Sequence, residues 1–463
     1  MKVRFLGATQ TVTGSRYLVS HGKTQVLVDC GLFQGYKHLR LKNWDELDID
    51  IEALAAVILT HAHLDHSGYL PLLVQRGFRG PIYSTLATSD LSKILLPDSG
   101  YLQEEEAKFA NRHNYSKHHP ALPLYTVSDA KNALRQFKSV EWRQEVSITK
   151  SGLGTLKFKF FPAGHLLGAA SVRIQSDSTS ILFSGDLGRD NSPLIRNPES
   201  PESADELVVE STYGNRGHPK EDPQQVIKRI ILRTIARKGI VLIPSFAVGR
   251  AQQILFYLHR LKKAEEIPST LPIYLNSPMA AQSNHAFSKN ISELKIDSEE
   301  LNQIFRGARV ISTPEESKAL NERAEPAVII AASGMATGGR VLHHLKTLAP
   351  NSKNTILFVG FQAGGTRGDL MVRGAKEVKI HGQLWPIRAE VINLESLSAH
   401  ADADEILRWI SNLDRSPKRV FVTHGEVEAS LTLKERIHKE IGLFAVVPEY
   451  GDTFEVGNYS KLP

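Results

Sequence analysis

Val57-Ile58-Leu59-Thr60-His61-Ala62-His63-Leu64-Asp65-His66-Ser67-Gly68 decides how the rest of the chain is read. Ala55 to Leu59 is an apolar run of strand type, and Tyr69-Leu70-Pro71-Leu72-Leu73-Val74 reads as a helix start. Between them, three histidines and an aspartate fall within six residues. A strand running into a loop crowded with imidazoles and a carboxylate is poor core material. Neutral imidazole and carboxylate oxygen are what a zinc-type cation binds, and a rigid strand end can aim them at one point. A lone histidine in such a turn is ordinary; four ligand-type residues spaced H-x-H-x-D-H point to a metal site.

Composition narrows the setting. At 463 residues the chain exceeds one ordinary core, so two domains are expected. Hydrophobic content of 41% and charged content of 23% fit a globular protein in water. The single cysteine, Cys30, excludes an internal disulfide framework and a Cys-rich zinc site, which leaves His and carboxylate to hold any metal. Met1 to Gly7 reads as a first strand rather than a secretory signal, and no apolar run approaches bilayer length, so the expectations are a cytoplasmic location and no membrane contact. A net charge of +6 is compatible with a polyanionic partner without establishing one.

The same device recurs along the chain. Thr24-Gln25-Val26-Leu27-Val28 delivers Asp29 at a strand end before Gly31, where it is expected to orient a ligand by hydrogen bond. After Pro81 to Thr85 comes a polar, helical insertion, about 89–141, whose His113, His118 and His119 read as solvated surface. Lys157 to Phe161 is a strand before Pro162-Ala163-Gly164-His165, and Ser180 to Ser184 a strand before Gly185-Asp186. An acidic, proline-bearing linker, 197–205, leads into Glu206-Leu207-Val208-Val209-Glu210-Ser211-Thr212, a strand with an acidic end.

From about Tyr213 the style changes. Helical segments such as 224–237 alternate with apolar runs at Ile240, Pro272, Ala327 and Thr355, the pattern of a largely parallel sheet buried on both faces. Its strands open into glycine-containing loops: Ser245 to Arg250, Ser333-Gly334-Met335-Ala336-Thr337-Gly338-Gly339-Arg340, and Gly360 to Arg367. Exposed backbone N–H groups beside arginine suit phosphate oxygens, so Arg250, Ser333, Gly334, Arg340 and Arg367 are candidate phosphate contacts. Lys379 to Glu395 then reads as a hairpin or strand pair, Ser398-Ala399-His400-Ala401-Asp402 opens a helix, and Arg419 to Thr423 is a strand ending His424-Gly425-Glu426. The expected division is 1–212 and 376–463 for one domain, with 213–375 inserted.

Seven candidate ligands lie at strand ends or adjoining loops: His61, His63, Asp65, His66, His165, Asp186 and His424. Three protein ligands plus water make one open site, and seven suffice for two with a bridging carboxylate. Together with Asp29, Glu210, the Ser-Ala-His-Ala-Asp motif at His400 and the Thr-His-Gly-Glu motif at His424, the set resembles the β-CASP branch of the metallo-β-lactamase superfamily. The resemblance spans nearly the whole chain. It implies an αββα sandwich of the metallo-β-lactamase type with an inserted β-CASP α/β domain of largely parallel sheet.

What the resemblance implies for the site is specific. His61, His63 and His165 would hold one metal, Asp65, His66 and His424 a second, with Asp186 bridging. The expected cofactor is two zinc ions per chain, with manganese able to occupy an oxygen-containing site. Asp29 and Asp65 join Glu210 and His400 as the catalytic candidates. Hydroxide generated at the metals would attack phosphorus, while His400, oriented by Glu210, acts as general acid; the products are a 5′-phosphate and a 3′-hydroxyl. A positively lined cleft between the domains would hold single-stranded RNA by its phosphates. Histidine rather than valine at 424 favours RNA over DNA within the family. Lacking KH-like and dimerisation extensions, the chain is similar to short bacterial RNases related to the cleavage-and-polyadenylation endonuclease, cutting internally or from the 5′ end. A homodimer is among the expected assemblies. The rival readings are a DNA nuclease, a metallohydrolase of small esters or amides, and an inactive RNA-binding scaffold.

Overall fold

The computed structural model describes residues 1–459 apart from 115, 117, 151 and 153. Two compact units emerge: 1–34, 38–217 and 400–463 form the first, 35–37 and 218–399 the second. Among the described residues the first unit holds two seven-stranded sheets. One runs Thr453–Glu455, Lys2–Phe5, Tyr17–His21, Thr24–Val28, Leu54–Ile58, Ile82–Ser84, Phe137–Ser139. The other runs Ala445–Val446, Arg419–Thr423, Glu206–Glu210, Ser180–Phe183, Ala170–Gln175, Thr155–Pro162, Val146–Thr149.

Period-two alternation sorts their side chains into layers. Val26, Val28, Ala56 and Ile58 of the first sheet meet Phe158, Phe160, Val172, Ile181, Phe183, Val208 and Phe421 of the second in one core. Leu27, Val57 and Leu59 face the other way, onto Leu70 and Leu73 of the helix Leu70–Gln75 and Leu96 of the helix Leu86–His113. Behind the second sheet, the helix Val427–Ile441 packs on Arg419–Thr423 and against the helix Ala403–Ser411. The result is helix, sheet, sheet, helix.

The second unit is built on a six-stranded sheet ordered Arg309–Val310, Ile273–Asn276, Ala327–Ala331, Ile240–Pro244, Thr355–Val359, Glu390–Leu394, every pairing parallel. Val241, Ile243, Val328 and Ile330 pack on the helices Pro223–Ala236 and Arg250–Lys263. Leu242, Ile329, Ile356 and Phe358 pack on Val341, Leu342 and Leu345 of the helix Arg340–Leu348. Both faces are covered, which is why the four central strands are buried along their whole length and read as apolar runs.

The partition by compactness returns to the first unit at His400, later than the expected 376. Glu377–Ile380 and Gln383–Pro386 form the anticipated hairpin, but Glu390–Leu394 pairs with Thr355–Val359 inside the second unit. As an edge strand it is only partly buried, so its sequence lacks the apolar run that marks its neighbours.

A buried ion pair ties down the end of the first unit. Arg419 donates through Nη2 to Glu206 and, at 2.8 Å, to the Glu455 carbonyl, with Phe421 and Phe454 against its guanidinium. Arg419→Ala leaves the Glu206 carboxylate buried and unpaired, at a cost of roughly 3–5 kcal/mol. The expected readout is a lower denaturant midpoint for the variant, largely restored in Glu206→Gln/Arg419→Met.

Candidate metal centre

Parallel register brings the ligand-bearing strand ends to one edge of the first unit. Val28 lies opposite Ile58, so Asp29 and the His61 loop leave the first sheet together; Glu210 lies opposite Thr423, so Glu210 and His424 leave the second together. The polypeptide must approach itself closely here. A Cβ on Gly31 would fall 1.5 Å from the Asp65 carbonyl oxygen, so only glycine lets this strand exit lie against the histidine loop. Asp29 (φ 58°) and His424 (φ 50°) both adopt the left-handed backbone that non-glycine residues avoid, a strain of order 1–3 kcal/mol each that the surrounding fold sustains.

Two ligand groups result. In one, His61 Nε2 and His165 Nε2 lie 3.1 and 3.2 Å from His63 Nδ1, and both face Asp186 Oδ2, at 3.4 and 3.6 Å. In the other, His66 Nε2 and His424 Nε2 are 3.0 Å apart, with Asp65 Oδ2 3.3 Å from His424. Asp186 Oδ1 stands 3.2 Å from His66 Nε2. One carboxylate thus turns one oxygen to each group. Every ligand atom within a group lies within 4.8 Å of the others.

These residues fit divalent cations. Imidazole nitrogens 3.0–3.2 Å apart hydrogen-bond only if one carries a proton, and the buried Asp186 Oδ1 has no hydrogen-bond donor among the described residues. A cation satisfies the converging lone pairs and the carboxylate at once. Burial, then neighbouring imidazoles, hold His61 and His165 well below the ordinary histidine range, and burial brings His63 down to about 4. Burial opposes ionisation of Asp186, but His424, His66 and His61 outweigh it and keep the carboxyl well below its usual range. His61, His63 and His165 are thus held in the neutral form a metal requires, whereas at His66 the Asp186 and Asp29 carboxylates outweigh burial and raise the imidazole well above its ordinary range.

The far nitrogens set the tautomers. Asp29 Oδ2 accepts from His66 Nδ1 at 2.7 Å and from the Thr60 hydroxyl at 2.8 Å, and Thr60 Oγ1 in turn accepts from His61 Nδ1 at 3.1 Å. Asp29 therefore orients one histidine in each group. Thr212 does the same for His424: its hydroxyl donates to the His424 carbonyl at 3.2 Å and accepts from Nδ1 at 3.1 Å. Sequence reading passed over Thr60 and Thr212, because a threonine at a strand end looks like any β-branched residue; their adjacency to Asp29 and His424 exists only in the fold. Thr212→Val keeps the shape and removes the acceptor, so affinity for the more weakly held metal should fall about 10–100-fold. Competition against a chromophoric chelator measures it, with the circular dichroism spectrum unchanged.

Beside these groups, His400 Nδ1 donates to Glu210 at 3.0 and 3.1 Å, while Glu210 Oε1 also accepts from the Leu187 amide at 2.7 Å. The Ala401 amide bonds to the Leu187 carbonyl at 2.8 Å, fixing the backbone next to His400. Burial works against a charge on His400, but Glu210 and then Asp186 outweigh it, pushing the imidazole up to about 9.

The candidate phosphate contacts of the second unit are placed differently. Arg340 Nη1 donates to Asn276 and the Ile311 carbonyl, and Nη2 to the Ser312 carbonyl. Arg367 donates to the Lys379, Ala336 and Thr337 carbonyls. Arg250 is buried against Gln253. The Arg340 and Arg367 guanidinium groups brace loops, whereas the Arg250 bond stays within its own helix. Ser333 Oγ accepts from the Thr337 amide at 3.0 Å, and Gly334 is required by the closeness of Phe246, 2.7 Å from where a Cβ would stand. His113 and His118 are exposed, as expected for a solvated surface.

Comparison with known proteins converges on the same architecture. Residues 11–212 match the metallo-β-lactamase superfamily, 251–371 the β-CASP domain, and 385–448 the Zn-dependent metallo-hydrolase RNA specificity domain. Ribonuclease TTHA0252 of Thermus thermophilus is 37% identical over 447 residues, covering 94% of this chain and 95% of that protein. Transcription termination factor FttA of Methanocaldococcus jannaschii is 31% identical, over 98% of this chain and 72% of that one. A crystal structure of a protein of unknown function from Enterococcus faecalis V583 shares the fold, with a TM-score of 0.56 at 14% identity over 98% of this chain and 99% of that one. Two ligand groups joined by one aspartate, a histidine–glutamate pair beside them and an inserted parallel-sheet module agree with these matches: the chain belongs to the β-CASP family of the metallo-β-lactamase superfamily.

Proposed function

We propose that the protein is a two-metal ribonuclease hydrolysing phosphodiester bonds of single-stranded RNA. The observation that carries this reading is Asp186, whose two oxygens face two separate His-containing groups with the His400–Glu210 pair alongside. His61, His63 and His165 would hold one ion and Asp65, His66 and His424 the other, with Asp186 shared. Nitrogen-rich ligands favour zinc, and the carboxylates also suit manganese. When bound, the ions supply Lewis acidity at phosphorus and a water activated near neutral pH.

The chain's own residues do the rest. Asp29 and Thr60 hold the tautomers of His66 and His61. Glu210 takes the Nδ1 proton of His400 in a hydrogen bond, which leaves Nε2 as the atom that gives its proton to the departing 3′ oxygen. The product ends are then a 5′-phosphate and a 3′-hydroxyl. In the inserted module, whose proposed extent is 213–375, Ser333 and Gly334 take phosphate through backbone N–H groups and Arg250, Arg340 and Arg367 through their guanidinium groups.

The relatives support RNA as substrate, since Ribonuclease TTHA0252 carries that activity in its name and residues 385–448 match an RNA specificity domain. The test is cleavage of an internally labelled single-stranded RNA and the matching DNA. RNA cut by metal-loaded protein and spared after chelation is the expected result, and the ladder of products separates internal from 5′-end cutting. Equal cutting of DNA would make it a general nuclease. Neither cut, with metal bound, would replace the reading by a small-ester hydrolase or a binding protein.

A further inference from the structure

A polar network lies inside the second unit, where the sheet and the helix Arg340–Leu348 otherwise meet through apolar side chains. Asn276 closes the strand Ile273–Asn276, opposite Ala331, and His344 stands on the helix; both are fully buried. His344 Nδ1 donates to Asn321 Oδ1 at 2.6 Å, and His344 Nε2 accepts from Asn276 Nδ2 at 2.6 Å. The other Nδ2 proton goes to the Ser317 hydroxyl at 2.7 Å, and Asn276 Oδ1 accepts from Arg340 Nη1 at 2.8 Å. Burial, then His343 and Arg340, bring His344 down to about 4, which keeps the imidazole neutral and Nε2 an acceptor.

Only one arrangement satisfies these groups. Asn321 takes the Nδ1 proton, so Nε2 must accept. Nε2 and Ser317 take both amide protons of Asn276, so its Oδ1 must face Arg340. Burying an amide against an imidazole adds little net stability over an apolar pair of the same volume. What the polar set supplies is direction at the half-buried Arg340. A guanidinium has five N–H groups. Nη1 gives both of its protons, to Asn276 and to the Ile311 carbonyl at 2.9 Å, and Nη2 gives one to the Ser312 carbonyl at 2.7 Å. That leaves Nε–H and one Nη2–H without an acceptor among the described residues, and no carboxylate there pairs with Arg340. Two N–H groups on one planar cation suit the oxygens of a phosphate.

We propose that Asn276 and His344 are positioning residues for RNA, fixing the Arg340 guanidinium so that its two remaining N–H groups meet a phosphate of the bound strand. The inference rests on the ribonuclease reading and on Arg340 as a phosphate contact. Neither positioning residue touches RNA. An arginine already held by three hydrogen bonds loses little rotamer freedom on binding, so its phosphate contact is stronger than that of an unsupported one. Removing Asn276 Oδ1 releases one end of the guanidinium and weakens that contact. None of these groups is a metal ligand or part of the His400–Glu210 pair, so the effect falls on KM.

Steady-state cleavage of an oligouridylate by the metal-loaded protein, over a range of salt, tests it with Asn276→Leu, Arg340→Ala and the double variant. Asn276→Leu is expected to raise KM about tenfold, rather than to lower kcat, and to reduce the slope of log KM against log salt by about 0.7, the share of one phosphate contact. The double variant should match Arg340→Ala, since Asn276 acts only through that arginine. His344→Gln keeps an acceptor for the Asn276 amide and should stay near wild type. Asn276→Ser repeats the test should Asn276→Leu fold poorly. A normal KM and slope in Asn276→Leu, with both shifted in Arg340→Ala, overturns the proposal alone. So does a loss of thermal stability or of kcat with the slope intact, which would make the network purely structural. A normal slope in Arg340→Ala overturns the positioning and the Arg340 contact together and leaves the ribonuclease reading standing. A wild type that cuts no RNA overturns that reading and this inference with it.

Discussion

His400→Ala is expected to slow cleavage of single-stranded RNA by about 10²–10⁴-fold, the range that a positioned general acid contributes. The metal content should not change, because His400 Nδ1 is spent on Glu210 at 3.0 Å and lies 3.9 Å from Asp186. In the proposed reaction Glu210 acts through it: the carboxylate is buried, held by the Leu187 amide, and fixes the imidazole ring with Nδ1 turned to it. A pair working as a unit is non-additive, so Glu210→Gln/His400→Ala should be no slower than His400→Ala by itself. Single-turnover cleavage with metal analysis of the same samples measures both. A variant that loses metal along with activity would make His400 a ligand instead.

Asp186→Asn should have an effect of similar size by another route. Its two oxygens face His61 and His165 on one side and His66 on the other, so an amide in its place removes the whole negative charge both groups share and turns one acceptor into a donor. Metal bound per chain should fall, and cleavage should drop about 10³-fold, since Lewis acidity is worth several kcal/mol and about 1.4 kcal/mol is a tenfold change. Added metal should restore part of the rate, which would not happen for His400→Ala. Full metal occupancy in Asp186→Asn would show that the carboxylate does not join the two groups.

How legible the site is depends on how local each part is. The His61-to-His66 loop lies in one stretch, so its ligand spacing is visible directly. His165, Asp186, Glu210 and His424 are dispersed, yet each sits just past an apolar run, several beside glycine, and that repeated device singles them out from the other histidines. Thr60 and Thr212 carry no such mark, because a hydroxyl that sets a tautomer is chemically ordinary until an imidazole stands 3.1 Å away. Arg340 and Arg367 stand beside glycine loops that the sequence marks, but the carbonyls they bond belong to distant segments, so those bonds are visible only in the fold.

The same contrast runs through the whole chain. Hydrophobic period and strand-end chemistry are local properties, so the sequence by itself determined the α/β class, the inserted parallel-sheet module, the set of ligand-type residues and the pairing of motifs that mark the family. Register, layer packing and edge position are properties of distant segments in contact. Only the tertiary structure decided that Glu390–Leu394 closes the second sheet, that Thr60 and Thr212 stand against His61 and His424, and that His343 and His381 meet across a helix and a hairpin. Each of those depends on which strands pair and how two faces pack, and no window of neighbouring residues contains that information.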